Sequence, residues 1–293
     1  MADVPARPHV VICGPASWNH LIALDELPEP VPHMQFARRA WHTVGGTSAG
    51  KALHLSDLDV DVRLWTSVGD DADGARLCEH LREAGVVVET VDSEQTEQHV
   101  NLMADGGRIS LYVSTPSPPT DDAVRAAAGA VGAADLAVID LSELGRLVLD
   151  AMPEPRTPLW TDLHDYDGTA AFHEPFLRAA DVVFMNDDAV EDPWVLMESC
   201  LDRGPRLALC TLGAEGAIAL EADGTRHEVA ATPATVVDTN GAGDAFMAGF
   251  LAARLRTTSV GAALDAAVAQ ARVAVESEHL HPALAQSVSP RFL

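Results

Sequence analysis

Lysine is almost missing from this chain: of the 19 basic residues only Lys51 is a lysine, against 44 aspartates and glutamates. The formal charge of −25 argues against a nucleic-acid backbone or an anionic membrane as partner, because both would be repelled. An anionic nucleotide would therefore need local positive features or a metal ion. No apolar run is long enough to span a bilayer, and the opening Met-Ala-Asp-Val-Pro-Ala-Arg-Pro has no apolar signal core. Cysteine is limited to Cys13, Cys78, Cys200 and Cys210, scattered without metal-site spacing. Reduced, mostly buried thiols in a cytoplasmic protein are the expectation. Internal repeats and low-complexity linkers are absent as well. What is present is 47% apolar residues over 293 positions, ample for a packed core and incompatible with disorder.

Along the chain, the apolar run from His9 to Cys13 reads as a buried first strand, followed by a loop from Gly14 to His20. Residues 62–68 form a second apolar strand, and the stretch from Gly69 to Gly74 opens a helix with apolar positions at Ala75, Leu77, Cys78 and Leu81. From residue 120 the pattern becomes regular. Helices at 121–131, 142–151, 170–179 and 194–203 alternate with apolar strands at 136–140, 158–162, 182–185 and 207–211. Such alternation implies a parallel sheet covered by helices on both faces. A hairpin pairs 217–220 with 226–230 around Asp223-Gly224, and a last helix covers 260–276. Two segments do not suit a buried sheet, because 34–41 and 96–113 mix polar residues into their strands. The second offers strands at about 99–104 and 108–113 joined by Asp105-Gly106-Gly107, a strong hairpin signal. The expected architecture is one α/β domain over 1–293 with a small β lid from approximately 15–43 and 96–114.

Two glycine-rich stretches carry candidate chemistry. Gly45-Gly46-Thr47-Ser48-Ala49-Gly50-Lys51 nearly spells a phosphate-binding P-loop, but Ala52 stands where a magnesium-binding Ser or Thr belongs. The preceding residues 36–44 carry Arg38, Arg39 and His42 and make a poor buried strand, so the P-loop reading is rejected. The other stretch, Asp238-Thr239-Asn240-Gly241-Ala242-Gly243-Asp244, runs into a helix with Phe246, Phe250 and Leu251 at helical spacing. Bare glycine backbone and the free N–H groups of a helix start form an anion site. A carboxylate in that place has a use if the amides hold charge developing on a phosphoryl group while Asp244 takes a proton from the attacking hydroxyl. Simple helix capping by Asp244 is the plainer alternative.

The complete run from Asp238 to Asp244 resembles the second signature of the PfkB (ribokinase-like) family of carbohydrate and nucleoside kinases. The order of double glycine, helix, strand and Gly69-Asp70-Asp71-Ala72-Asp73-Gly74 is similar to the family's first signature. The resemblance implies a three-layer α/β/α sandwich with a mostly parallel central sheet and a small β-sheet lid. It implies ATP-dependent phosphorylation of a sugar or sugar-like alcohol, or of a nucleoside, with magnesium bridging the phosphates. Asp244 then matches the catalytic base, and Gly241, Ala242 and Gly243 the anion hole. Asn19, Gly45 and Gly46 match the acceptor side, where bare backbone lets a polyol lie close. Thr211, Gly213 and Gly216 fit a turn along the nucleotide phosphates, and Asn186 a position acting through water on magnesium. Asp238 matches a position linked in some members to a monovalent cation such as K+. Lids of such enzymes often pair, so a homodimer through the lid is expected.

The chain also departs from that pattern. Gly50 replaces a common Asn, Asn19 an Asp that binds acceptor hydroxyls, and Ala189 the glutamate of Asn-x-x-Glu. These changes leave a ligand-binding relative with impaired catalysis as an alternative. Asp162 matches a nucleotide-side aspartate, but His164 and Tyr166 follow it where sugar kinases often have Asn and Arg. A lone histidine in that acidic loop reads as solvated, and the tail from Glu276 lacks the expected adenine-side pattern. Lys51 reads in two ways, as reaching an anionic acceptor group or as a solvated residue of the first helical turn.

Overall fold

Val10, Val11, Ile12 and Cys13 have no exposed surface at all, which places β1 (His9–Cys13) inside a sheet covered on both sides. The computed structural model describes residues 8–104, 107–152, 156–256 and 259–286. After β1 come β2 (Ser17–Ala23), β3 (Arg39–Gly45), α1 (Thr47–Asp57), β4 (Asp61–Gly69), α2 (Ala72–Glu83), β5 (Val87–Ser93), β6 (Gln98–Ala104) and β7 (Gly107–Ser114). The second half runs α3 (Asp121–Gly132), β8 (Leu136–Ile139), α4 (Glu143–Ala151), β9 (Leu159–Asp162), α5 (Glu174–Ala179), β10 (Val182–Asn186), α6 (Pro193–Leu201) and β11 (Leu207–Thr211). It closes with β12 (Ala217–Glu221), β13 (Arg226–Val229), α7 (Ala242–Arg254) and α8 (Val260–Val275).

Nine strands form the main sheet in the order β13-β12-β11-β10-β9-β8-β1-β4-β5. All pairings are parallel except those of β12 with β11 and β13. Alternate residues of each strand feed two cores. Val10, Ile12 and Leu64 pack with α1, α2, α7 and α8, while Val11, Cys13 and Ile139 pack with α3 to α6. This is the expected three-layer α/β/α sandwich, with a separate small sheet of order β3-β2-β6-β7. Local signals set the helix starts: Thr120 accepts the Ala123 amide, Ser142 that of Gly145 and Ser259 that of Ala262. Among the described residues, no helix is long and apolar enough to cross a membrane. All four cysteines are buried and unpaired.

Several expectations need correction. The loop expected from Gly14 to His20 is shorter: Ser17 to His20 already belong to β2, whose polar Ser17 and Asn19 alternate with Trp18 and His20. The strand expected within 34–41 begins only at Arg39 and runs to Gly45, because Met34 and Phe36 are almost wholly exposed. Edge strand β5 was not anticipated; its sequence Val-Val-Glu-Thr-Val-Asp-Ser is half polar. The turn residues Asp105 and Gly106 lie outside the described residues.

Helix α7 is the element that fixes the site. Phe246, Phe250 and Leu251 are buried, each contributing about 1.5–3 kcal/mol. A side chain on Gly249 would lie 2.7 Å from Gln270 Cβ and 2.8 Å from the Ala266 carbonyl, so a bare backbone lets α7 and α8 cross in close contact. The N-terminus of α7 is thereby held against the carboxyl ends of the sheet strands, where open α/β sheets bind their ligands.

Candidate active site

Gly241 caps α7 in the left-handed conformation at φ 77°, which a residue with a side chain rarely adopts. The Ala245 amide donates to the Gly241 carbonyl at 2.9 Å, the start of the helical ladder. Upstream, the Ala242 amide donates to Thr239, and the amides of Gly243 and Asp244 fall in the first turn, where a helix supplies no partner of its own. A Cβ on Gly243 would meet nothing within 4 Å. The cradle before Asp244 is therefore open, and its amides point where an anion can sit.

Asp244 itself is buried, and its Oδ1 accepts from Lys51 Nζ at 2.8 Å. Lys51 Nζ also donates to Asp140 Oδ2 at 3.1 Å and lies 3.3 Å from Asp162 Oδ2. Lys51 is 1% exposed, so the solvated-helix reading fails, and its three donors are spent on protein carboxylates and not on an acceptor. Burial works against its charge, but Asp140, Asp244 and Asp162 outweigh it and raise the lysine above its usual range. One ammonium does not neutralise three carboxylates. Burial, helped by Asp162, pushes Asp244 up to about 6 even against the pull of Lys51. Asp162 goes the other way: burial would raise it, but the charges of His164 and Lys51 and the His164 amide hold it down to about 2. The two carboxylates are thus set apart, one permanently charged and one poised near neutrality.

A pocket beside this cluster is lined by Asp162, His164, Phe184, Met185, Asn186, Thr211, Gly243 and Phe246. It joins three residues expected from the sequence, Asn186, Thr211 and Gly243, to Asp162 and His164. His164 is thus a wall residue, held at φ 52° with its ring 3.4 Å from Asp162. Tyr166 is different: fully buried, it donates to Glu174 and accepts from Arg203, a tie that anchors the loop. Gly213 and Gly216 are not on this wall. At Gly216 (φ 111°) a Cβ would stand 2.0 Å from the Val229 carbonyl, so its bare backbone serves the β12–β13 hairpin. Asn186 Oδ1 accepts the Asp188 amide at 3.1 Å, and Ala189 is exposed.

On the other side, Asn19 lies over Gly45: a Cβ there would be 2.0 Å from Asn19 Nδ2. Ser17 Oγ donates to Asn19 Oδ1 at 2.8 Å, leaving the amide end available. At Gly46 (φ 92°) a Cβ would come within 2.5 Å of the Pro15 carbonyl. The space left by both missing side chains is thus filled by protein, not kept for a polyol. The register puts Asn19, Thr43, His99 and Tyr112 on one face of the small sheet. From that face Arg108 donates to Asn240 and Met103 Sδ lies 3.7 Å from Asn240 Nδ2, so it meets the Asp238–Asp244 turn directly. The two carboxylate oxygens of Asp238 accept from the backbone and side-chain amides of Asn240, at 2.9 and 3.1 Å, which fixes the carboxylate beside the turn. Asp71 serves the scaffold, capping α2 through Gly74 at 2.7 Å and taking the Thr96 amide at 2.8 Å.

Asp140 and Lys51's role as its partner had not been singled out. Asp140 follows β8 and Asp162 ends β9, so both stand at carboxyl ends of parallel strands, the position that could have marked them. A helix-start amide cradle beside a poised carboxylate at that edge is the equipment of an enzyme that transfers an anionic group to a hydroxyl.

The comparisons agree with that class. The model of the pfkB family of carbohydrate kinases matches residues 7–284. An acarbose 7(IV)-phosphotransferase from an Actinoplanes species is 31% identical over 250 residues, covering 83% of each chain. An ATP-dependent ribose-1-phosphate kinase from Halopiger xanaduensis is 27% identical, covering 97% of this chain and 99% of that protein. Among solved structures, a microbiome-derived acarbose kinase superposes with a TM-score of 0.80 at 27% identity, over 92% of this chain and 93% of that one. The chain belongs to the PfkB family of carbohydrate kinases, and is a phosphotransferase with an alcohol group as acceptor.

Proposed function

We propose that this chain transfers the γ-phosphoryl group of ATP to a hydroxyl of a sugar or sugar-like small molecule, with Asp244 as general base. The observation that carries the reading is the placement of Asp244 on the first turn of α7, buried beside the open Gly243 cradle. Phosphoryl transfer is mostly positioning and charge stabilisation, so amides and one carboxylate suffice. The pocket on the Asn186, Thr211 and Gly243 side takes the nucleotide, and Asn19 on the small sheet faces the acceptor. Magnesium favours a few protein oxygens completed by phosphate and water. Asn186, on the pocket wall, would hold it through water with the nucleotide, where it neutralises phosphate charge. The test is an ATP-consumption screen over sugars, polyols, nucleosides and acarbose. Stimulation by sugar-like acceptors supports the reading, stimulation by nucleosides alone replaces it, and nucleotide binding without any stimulation favours a ligand-binding relative.

The carboxylate of Asp244 must be ionised to accept a proton, so its elevated value sets the acid side of the rate profile. The rate with saturating ATP is expected to fall tenfold per pH unit below about 6 and to level off above it. A profile flat down to pH 4.5 would remove Asp244 as the group that titrates.

The small sheet acts as the lid in this reading, and its outer face as a homodimer contact. Leu102, Ile109, Val100 and Leu111 pair on that face, with Leu111 50% and Val113 60% exposed. An apolar sheet face of this kind needs a cover. Tyr112 lies on the opposite, inner face. Leu111→Glu is expected to convert a dimer to a monomer in solution mass measurements. A monomeric wild type, or a dimer indifferent to the charge, would show that the face is not an interface.

A further inference from the structure

An ammonium offers three N–H donors in a fixed fan, and Lys51 points its fan at Asp140, Asp162 and Asp244. These partners come from three separate places in the chain: after β8, at the end of β9 and in the first turn of α7. Asp140 is fully buried and depends on this contact. Its Oδ2 accepts from Ser48 at 2.7 Å and from Lys51, while its Oδ1 has no partner among the described residues. Gly50 supplies the clearance. A Cβ there would stand 2.9 Å from Asp244 Oδ2 and 3.0 Å from Asp244 Cβ, so the bare backbone of α1 lets the carboxylate settle over the lysine. Lys51 itself is sealed from any ligand.

We infer that Lys51 is a positioning residue that clamps the base: it ties down Asp244 Oδ1, keeps the carboxylate ionised, and leaves Oδ2 to take the acceptor proton. The inference rests on the reading of Asp244 as the base. Its physical core is the charge count. The groups facing Asp244 are Lys51 from α1, Asp162 from β9, His164 from the loop after β9 and, through Lys51, Asp140. With the ammonium removed, three buried carboxylates remain together, and like charges out of water cannot all stay ionised. Burial already raises Asp244, and without the ammonium on its Oδ1 it holds its proton to higher pH. The enzyme would then lose its base near neutral pH and regain it only in more alkaline solution. A merely structural lysine would lower the rate equally at every pH.

The experiment is the pH profile of acceptor kcat/KM for wild type, Lys51→Met, the double variant Lys51→Met with Asp140→Asn, and Asp244→Asn. Loss of an opposite charge in hydrogen-bond contact is expected to move the acid limb of Lys51→Met upward by about one to three pH units. The rate should recover in alkaline buffer, with KM for ATP within a few-fold of wild type. The double variant removes one buried charge of each sign, so it keeps the core's charge balance and folds where Lys51→Met fails to; its limb should also lie above that of wild type. A limb that stays at the wild-type position in whichever of these variants folds overturns the inference. If Asp244→Asn keeps wild-type turnover, the base assignment fails and the clamp with it. If Asp244→Asn is inactive but the limb does not move, only the clamp fails.

Discussion

Asp244→Asn is expected to fold, bind nucleotide and turn over about 100- to 10,000-fold more slowly than wild type, the usual cost of removing a general base. The amide has nearly the shape of the carboxylate, and its oxygen can still accept from Lys51 Nζ, now 2.8 Å from Oδ1. What it cannot do is take a proton from the acceptor hydroxyl. The substitution also removes one of the three negative charges around a single ammonium, so thermal stability should hold or rise, separating loss of chemistry from loss of fold. Turnover within a few-fold of wild type, measured with saturating ATP and acceptor, would return Asp244 to the role of a simple helix-start carboxylate.

Gly243→Val carries the second large effect. Nothing lies within 4 Å of a Cβ at Gly243, so the protein has room for the side chain and its helix is not strained by it. In the proposed reading that room is the cradle, and Gly243 lines the pocket together with Thr211 and Asn186. A branched side chain there displaces the phosphoryl group from the first-turn amides, and the loss of one such donor alone costs about 100- to 1,000-fold. Gly129 in α3 also has nothing within 4 Å of a Cβ and is remote from the pocket, so Gly129→Val serves as the control. A fall in turnover at 243 with none at 129 is the expected pair of results. Equal activity of the two variants would show that the cradle holds no reacting group.

The sequence made the glycine-rich turn before α7 legible because its parts are contiguous: Gly241, Ala242, Gly243 and Asp244 stand next to one another and open an apolar helix. Strands β8 to β11 were legible for a similar reason, being short apolar runs between periodic helices. The charged cluster was not. Lys51 meets carboxylates 89, 111 and 193 positions away, and no local pattern marks such a convergence. Its status as the lone lysine pointed to a role but not to its burial. The small sheet was half legible: the alternation of β6 and β7 announced it, but Gly14-Pro15 disguised β2 as a loop. Gly45 and Gly46 were found for an incomplete reason. Their missing side chains make way for Asn19 and the Pro15–Ala16 backbone, so their bareness serves the packing of β2 against β3 and the start of α1.

The most direct measurement is a single turnover with γ-labelled ATP, following the label onto the acceptor selected by the screen, in wild type and Asp244→Asn side by side. Rapid transfer of label to a hydroxyl of a sugar-like acceptor in wild type, and near-absence of transfer in Asp244→Asn with nucleotide still bound, is the expected result. Label released to water whatever the acceptor, or transferred equally fast by both proteins, would contradict a kinase built on Asp244.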